Sequence, residues 1–563
     1  MRIGVYVCHC GRNIAGTVNV AAVVEFARNL PHVAVAKEYR YVCSDPGQQI
    51  ISDDIAEFGL DKVVIASCSP SMHQNTFMNN VQKAGLNPYC LDRANIRENC
   101  SWVHSNMTEA TEKAKLLVAA AVAKVILAEP LEVKEVSVTP AALVIGGGIA
   151  GIQAALDIGD AGFKVYLVER EPDLGGHVAQ LYKTFPSLEE TEQLLQSRME
   201  RIKEHPNIEV LTSSEVTGME GYIGNFKVTV KQDGVDRELE IGTMVVATGY
   251  DTFDASLKPE FGYGVYPNVI TGLELERLAS PSGPTGGKIE IDGKGPANVV
   301  FIQCVGSRDK SVGVEYCSRV CCMYTAKQAS YIKDKLPEAR VTVCYIDIRA
   351  FGKGCEEFYE KVQREKVIYR RGNVSEVYKR GDKLVVRAED TLLGETFEEE
   401  ADLVVLATGM RPARDAALLG KMLHISSGAD GFFLEAHPKL GPVETTTDGI
   451  FLAGCAVGPK DITDSISQGH AAAVKASIPL FLGRVSKEPL VAHIDEEVCA
   501  GCGLCESSCE FGALVLDTRR KVMTVNEALC RGCGACSALC PSGANQLRNT
   551  TEKQVFDMIE ALL

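Results

Sequence analysis

Twelve of the chain's 21 cysteines fall into sets whose spacing suits metal chemistry. Cys499, Cys502, Cys505 and Cys509 follow C-x2-C-x2-C-x3-C, and Cys530, Cys533, Cys536 and Cys540 repeat it, with Pro541 next. In such a doubled run, short loops aim three thiolates and nearby backbone amides at one 4Fe–4S cubane, and the fourth cysteine of each run ligates the other cluster. The expectation is one cluster on Cys499, Cys502, Cys505 and Cys540, and a second on Cys530, Cys533, Cys536 and Cys509. The first run closes in "CEFG" where the second closes in "CP". A structural zinc ribbon uses four thiols and not this doubled eight. The third set, Cys304, Cys317, Cys321 and Cys322, follows the apolar strand "NVVFIQ" with C-x12-C-x3-CC spacing. A strand of this kind ordinarily feeds a glycine loop that binds a nucleotide. Four thiols there fit another cluster and fill the space a pyrophosphate needs. A redox dithiol is the weaker alternative, since no C-x-x-C is present and adjacent cysteines make a strained disulfide. Inert buried thiols are the other.

Cys8, Cys10, Cys43 and Cys68 fall at the C-terminal ends of three short apolar strands, and Cys100 in "ENCSW" is placed to join them. In an open parallel sheet those ends share the edge where ligands bind. A fourth cluster, a docking surface and simple buried thiols all fit this pattern. Cys90, Cys344 and Cys355 read as structural, His9 and His73 as hydrogen-bonding residues, and Trp102 as a packing residue.

"VIGGGIAG" supplies Gly146, Gly148 and Gly151 after a strand, with Ile149 and Ala150 opening a helix. The first glycine makes a tight turn, the second lets backbone approach a pyrophosphate, and the helix N-terminus favours its charge. Glu169, ending the next strand with Arg170 beside it, is placed to accept from ribose hydroxyls. FAD is favoured over NAD by "GGH" (Gly176, His177) and by two "ATG" strands, Ala247-Thr248-Gly249 and the one ending at Gly409. The late stretch "GIFLAGCAVGPKDITDS" also favours it. Gly454 and Cys455 form its turn, where many such flavoproteins have Gly-Asp. Lys460, Asp461, Ile462 and Thr463 begin a helix whose N-terminus carries partial positive charge toward the flavin's pyrimidine edge. A solvated loop lysine is the alternative for Lys460.

These residues imply an α/β chain of several domains. A small N-terminal α/β domain (1–138) precedes an FAD-binding domain (139–297). A nucleotide-domain-like insertion (298–402) carries the Cys304 set, and the FAD domain returns at 403–487. A ferredoxin-like domain with two 4Fe–4S clusters (488–548) and a helix (549–563) end the chain. Apolar content of 46 % and charged content of 23 % are ordinary for a folded protein. A formal charge of −16 argues against nucleic acid and anionic membranes. No apolar run reaches the length of a membrane span. So many cysteines without an export signal point to ligation in the cytoplasm rather than to disulfides.

The stretches "VCHCG", "YVCSDPGQ", "ASCSPSMH", "ANIRENCSWVH", "GGHVAQLYKTFP", "YGVYPNVITGLELERL", "QCVGSRD", "YCSRVCCMYTAKQA" and "AGCAVGPKDI", with the paired ferredoxin motif, resemble the family of A-type subunits of heterodisulfide reductase over nearly the whole chain. The resemblance implies a thioredoxin-reductase-like FAD domain, several 4Fe–4S clusters and flavin-based electron bifurcation. It also implies assembly with B- and C-like subunits and a hydrogenase, formate dehydrogenase or other donor-linked iron–sulfur subunit. A soluble ferredoxin and a homodimer of the complex belong to the same expectation. Two departures stand out. "VKQDGVDRELEIGTMVVATGY" runs through without the inserted ferredoxin domain many members carry, and "SLEETEQLLQ" follows "KTFP" where many have cysteines. A self-contained NAD(P)H-dependent reductase, a quinone- or sulfate-respiration-linked electron-transfer subunit, and a regulatory cluster scaffold are the rival readings. The chemistry belongs to cofactors, so no catalytic proton-transfer residue is expected.

Overall fold

The computed structural model describes residues 1–563. It divides into two units, Met1–Glu135 with Ser486–Leu563, and Val136–Val485.

The first unit opens with four parallel strands, β1 (Ile3–Cys8), β2 (Val33–Tyr39), β3 (Lys62–Ser67) and β4 (Leu91–Asn95), in the order β2-β1-β3-β4. β1 and β3 are buried along their whole length, as central parallel strands covered on both faces must be. α1 (Val20–Arg28) and α4 (Met107–Ile126) pack on one face. α2 (Asp45–Phe58) and α3 (Gln74–Lys83) pack on the other. Asn19 and Asn106 cap α1 and α4 by accepting from first-turn amides. The cysteine-rich tail belongs to this same unit. Its strands Ala492–Ile494 and Asn545–Leu547 pair antiparallel, as do Leu514–Asp517 and Val522–Val525. The last helix, Glu552–Glu560, starts on a Thr551/Gln554 capping box. Gln554 Nε2 donates to the Lys124 carbonyl at 3.3 Å, and the Asn549 amide bonds Tyr89 and Glu129 backbone. These contacts tie the tail to the N-terminal domain.

The second unit repeats one architecture. Its first sheet is parallel, in the order Ile450–Leu452, Thr243–Val246, Ala141–Ile145, Lys164–Val168, Ile208–Leu211. The second is parallel too, in the order Val269–Thr271, Leu403–Thr408, Asn298–Val305, Arg340–Tyr345, Ile368–Arg371. Each carries a three-stranded antiparallel sheet, Ser214–Ile241 on one and Val374–Ala401 on the other. The second fold is therefore wider than the expected 298–402. Leu403–Thr408 lies between Asn298–Val305 and Val269–Thr271, because each fold keeps its own "ATG" strand next to its opening strand. The helix Ile462–Leu482 returns to pack on Ile149–Asp160 of the first fold. No helix is long and apolar enough to cross a membrane.

Candidate functional site

The strand Ala141–Ile145 ends at Gly146, whose φ of +108° suits only glycine; a Cβ there would lie 2.4 Å from the Ala247 carbonyl oxygen. A Cβ on Gly151 would lie 1.8 Å from the Gly146 carbonyl oxygen, whereas one on Gly148 would meet nothing within 4 Å. The first and third glycines thus close the turn on the helix, and the second faces open space. Glu169 Oε2 accepts from Gly147 N at 2.6 Å and Oε1 accepts from Glu171 N at 2.9 Å, so the buried carboxylate also holds the loop. Arg170 faces Asp415 at 3.3 Å.

The loop opens onto a cavity of about 1050 Å³. Gly146, Gly148, Ile149, Ala150, Glu169, Arg170, Gly176, His177, Ala247, Thr248, Gly249, Gly409, Cys455, Lys460, Asp461, Ile462 and Thr463 all line it. Gly151 and Gly454 stand behind them as packing positions; a Cβ on Gly454 would lie 2.8 Å from Ala150 Cβ. His177 Nδ1, Thr248 Oγ1, Asp415 Oδ1 and Gln328 Oε1 are buried in this wall without a protein partner. Buried polar atoms need partners, so the wall suits a large polar ligand such as FAD. The His177 ring stacks on Tyr250 at 4.1 Å, with Nε2 2.8 Å from the Tyr250 carbonyl. Burial pushes its pKa below the ordinary histidine value. A neutral ring donating from Nε2 leaves Nδ1 as an acceptor toward the cavity. Burial also lowers the Lys460 pKa. Asp461 caps the helix beside it, accepting from Asp464 N at 2.7 Å.

The cavity is also lined by residues that sequence reasoning missed. Lys327 and Glu276, with side chains 2 % and 1 % exposed, pair at 2.8 Å. Lys327 Nζ also donates to the Lys183 carbonyl at 2.6 Å. Glu276 accepts from Gln328, Tyr331 and the Tyr182 amide. The only sequence signal was a lysine and a glutamine inside an otherwise apolar stretch of helix.

Cys304 occurs near the end of the strand Asn298–Val305 with φ +61°, a left-handed conformation unusual for a side-chain-bearing residue. Ile302 pairs with Leu406 but Val305 with Thr408, so one extra residue bulges out where Cys304 sits. The loop is pinned by Ser318, whose N donates to Ser307 Oγ at 3.0 Å and whose Oγ accepts from Met410 N at 2.9 Å. Cys321 and Cys322 open the helix Cys321–Lys335. Burial first, then the neighbouring thiols Cys322 and Cys317, push Cys304 up to about 12. Burial and then Cys304, Cys322 and Cys317 raise Cys321 well above the ordinary thiol value. The four cysteines are thus mutual neighbours. Cys321 Sγ lies 3.9 Å from the Thr408 carbonyl oxygen, to which the Tyr324 hydroxyl donates at 2.9 Å. Val320, Tyr324 and Thr408 all line the large cavity.

In the tail, Gly501 and Gly503 have φ of +62° and +76°, and Gly532 and Gly534 +62° and +81°, so the two loops repeat one backbone conformation. A cavity of about 20 Å³ is lined by Cys509 together with Cys530, Cys533 and Cys536. Burial raises Cys505, with Cys502 and Cys540 adding to it; burial raises Cys536, with Cys530, Cys533 and Cys509 adding. Main-chain amides of Ala492, Ala513, Met523 and Asn545 reach Cys530, Cys509, Cys499 and Cys540 sulfurs at 3.3, 3.4, 3.4 and 3.4 Å. Anionic sulfur at a backbone donor is a favourable arrangement.

At the N-terminal edge, Cys10 N donates to Cys8 Sγ at 3.3 Å. Burial raises both Cys8 and Cys43; Cys10 and Cys43 add to the first, Cys68 and Cys10 to the second. Cys8, Cys10 and Cys43 meet in one apolar cluster, and Cys68 follows β3, the strand beside β1. Cys100 does not join them: its thiol donates to the Ala110 carbonyl at 3.0 Å in the core beneath α4. Trp102 is not a packing residue; it is 58 % exposed, with the Arg97 guanidinium 4.8 Å from its ring. Cys90, Cys344 and Cys355 are buried, and His9 faces Glu38 at 3.4 Å. No three His, Cys, Asp or Glu side chains gather tightly enough for a single metal ion.

Residues 140–473 match the pyridine nucleotide-disulphide oxidoreductase family, and residues 492–547 a 4Fe-4S dicluster domain. The second A-type iron-sulfur subunit of the CoB–CoM heterodisulfide reductase of Methanopyrus kandleri is 47 % identical, covering 92 % of this chain and 91 % of its own length. The A-type subunit of the H(2):CoB-CoM heterodisulfide,ferredoxin reductase of Methanothermobacter marburgensis is 46 % identical with the same coverage. Both alignments run over 597 positions, against 92 % of 563 residues here, so about 80 positions have no counterpart in this chain. Among solved structures, the thioredoxin reductase of T. acidophilum is 16 % identical, covering 60 % of this chain and 98 % of that one, with a TM-score of 0.43. At the identity it shares with the two heterodisulfide reductase chains over nearly their full length, the chain belongs to the family of A-type heterodisulfide reductase subunits, and is an oxidoreductase subunit carrying FAD and 4Fe–4S clusters.

Proposed function

We propose that this chain is the electron-splitting subunit of a heterodisulfide-reductase-type complex, exchanging electron pairs at FAD for single electrons at its clusters, by flavin-based bifurcation. The flavin supplies paired-electron chemistry and the clusters single-electron chemistry. In this reading Cys499, Cys502, Cys505 and Cys540 hold one cluster, and Cys530, Cys533, Cys536 and Cys509 a second. Cys304, Cys317, Cys321 and Cys322 hold a third, and Cys8, Cys10, Cys43 and Cys68 a fourth.

One observation carries the reading. The helix Cys321–Lys335 presents two cysteines of the third set on its first turn, and Tyr324, Lys327 and Gln328 of the flavin cavity wall immediately after. Paired and single electrons are thus handled on adjacent turns of one helix. The bulged Cys304 also takes the position of a nucleotide-loop glycine, which argues against NAD(P)H as a direct partner. His177 Nδ1, Thr248 and Lys460 orient the flavin, and the capped helix at Asp461 directs its N-terminus toward it.

Partners follow from the relatives. The names of subunits from Methanothermobacter marburgensis, Methanococcus maripaludis and Methanosarcina acetivorans include hydrogen, formate, ferredoxin or F(420)H(2). For this chain, B- and C-like subunits, a donor-linked iron–sulfur subunit and a soluble ferredoxin are the corresponding proposals, in a homodimer of the complex in the cytoplasm. The test is anaerobic purification of the native complex, with identification of its subunits and iron and flavin analysis of this chain. Four clusters give about sixteen iron per FAD, since each cubane holds four. About eight iron per FAD, with rapid bleaching of the flavin by NAD(P)H in the isolated chain, overturns the proposal in favour of a self-contained reductase.

A further inference from the structure

Two arginines reach the N-terminal thiols. Arg97 Nη1 donates to Cys10 Sγ at 3.2 Å. Arg93 Nη2 lies 3.6 Å from Cys68 Sγ and also donates to the Cys68 carbonyl at 2.8 Å and Ser67 Oγ at 2.9 Å. Neither arginine is adjacent in sequence to these cysteines; both come from β4 or the turn after it, the strand of this sheet that contributes no thiol to the group. Arg93 is buried, and its guanidinium sits 4.7 Å from the Phe77 ring. Arg97 is held from three sides: Glu98 Oε1 accepts from its Nη2 at 2.8 Å and its Nε at 3.2 Å, Met72 Sδ lies 3.7 Å from Nη2, and Trp102 covers it. The Glu98 carboxylate is itself fixed, its Oε2 accepting from Ser69 N at 2.8 Å.

A guanidinium stays charged at any working pH, and burying one costs free energy unless an anion faces it. Here the buried Arg93 faces the Cys68 sulfur, and the half-buried Arg97 faces the Cys10 sulfur as well as the Glu98 carboxylate. Cluster potentials respond to net charge and to hydrogen bonds on the sulfurs. Positive charge favours the reduced form, which carries one electron more. We infer that Arg97 and Arg93 are positioning residues that raise the reduction potential of the N-terminal centre, with Glu98 opposing them, so that this edge of the sheet is tuned as an electron-accepting end. The inference rests on the proposed fourth cluster.

The test is a redox titration, followed by electron paramagnetic resonance, of the anaerobically purified complex. The N-terminal signal is the one abolished by Cys43→Ser, with the loss of about four iron per chain. Arg97→Gln shifts the midpoint of that signal to more negative potential and leaves the other signals in place. Arg97→Lys, which keeps the charge, recovers most of the shift. Glu98→Gln moves the midpoint in the opposite direction, and decides the matter if Arg97→Gln loses iron. An N-terminal signal whose midpoint is unmoved in Glu98→Gln, and in Arg97→Gln where that variant keeps its iron, overturns the inference while leaving the cluster in place. If Cys43→Ser changes neither iron content nor any signal, the fourth cluster fails and the inference fails with it.

Discussion

The two nucleotide-type folds of residues 136–485 are the same object up to one turn. Each has five parallel strands, an antiparallel three-stranded sheet and a helix after its opening strand. In the first, the opening strand ends in Gly146 and a helix begins at Ile149; in the second, the strand bulges at Cys304 and the helix begins at Cys321. The sheets are fixed by apolar parallel strands that tolerate either ending. The ligand is fixed by whether the turn offers empty space and amides or buried thiols. Architecture and chemistry are therefore separable here, and that separation is open to attack from either side.

The largest effect is expected at the thiols. Cys317→Ala removes one proposed ligand of the third set, and iron analysis should show a loss of about four atoms per chain. Flavin content should hold, because Cys317 does not line the cavity. Loss of flavin and iron together would show that the turn and the sheet depend on each other.

Next comes the buried pair at the shared wall. Lys327→Met leaves the Glu276 carboxylate buried without its cation, which costs about 3–5 kcal/mol. Denaturant unfolding should show this loss, and Lys327→Met combined with Glu276→Gln should recover part of it. A single variant as stable as the parent would mean that the Tyr331, Gln328 and Tyr182 donors suffice for Glu276 alone.

The glycine turn gives a smaller effect. Gly151→Ala drives a methyl against the Gly146 carbonyl oxygen, an overpacking of about 1–3 kcal/mol. The purified protein should hold less flavin while its iron stays constant. Equal flavin content would show that the turn relaxes without disturbing the cavity.

What was legible in the sequence follows the distance over which each feature is assembled. The tail ligands lie within runs of eleven residues, and the glycine turn within six, so local spacing was enough to define them. The Cys304 set spans one loop, and only the cysteine in the place of the first glycine needed explaining. Cys8, Cys10, Cys43 and Cys68 were readable as strand ends because a parallel sheet brings such ends to one edge. Cys100 does not belong with them, since a cysteine beyond β4 faces either the edge or α4 with the same sequence pattern, and here α4 wins. Lys327 and Glu276 were invisible because the pairing joins two helices 51 residues apart. The inner boundary of the insertion was misplaced because the two "ATG" strands are near copies, and pairing alone shows which sheet owns each.

Arg319 is the smallest lever and the most informative, because it joins the two folds directly. It belongs to the cysteine loop, with φ of +60°, and its N donates to Cys317 Sγ at 3.4 Å. Its Nη2 donates to Asp464 Oδ2 at 2.8 Å and its Nη1 donates to the Pro459 carbonyl at 3.2 Å, both at the start of the helix beside the flavin cavity. The pair is partly exposed, so its removal costs stability only about 0.2–1 kcal/mol. Arg319→Gln should therefore unfold almost like the parent and keep its iron and flavin. The change belongs in the electron exchange between the two centres, read as the rate at which cluster signals follow flavin reduction in rapid-mixing experiments. A slower exchange with unchanged composition means the loop position, and not merely its ligands, is set from the flavin side. An unchanged rate means the bulge at Cys304 and the Ser307–Ser318 hydrogen bond hold that position unaided.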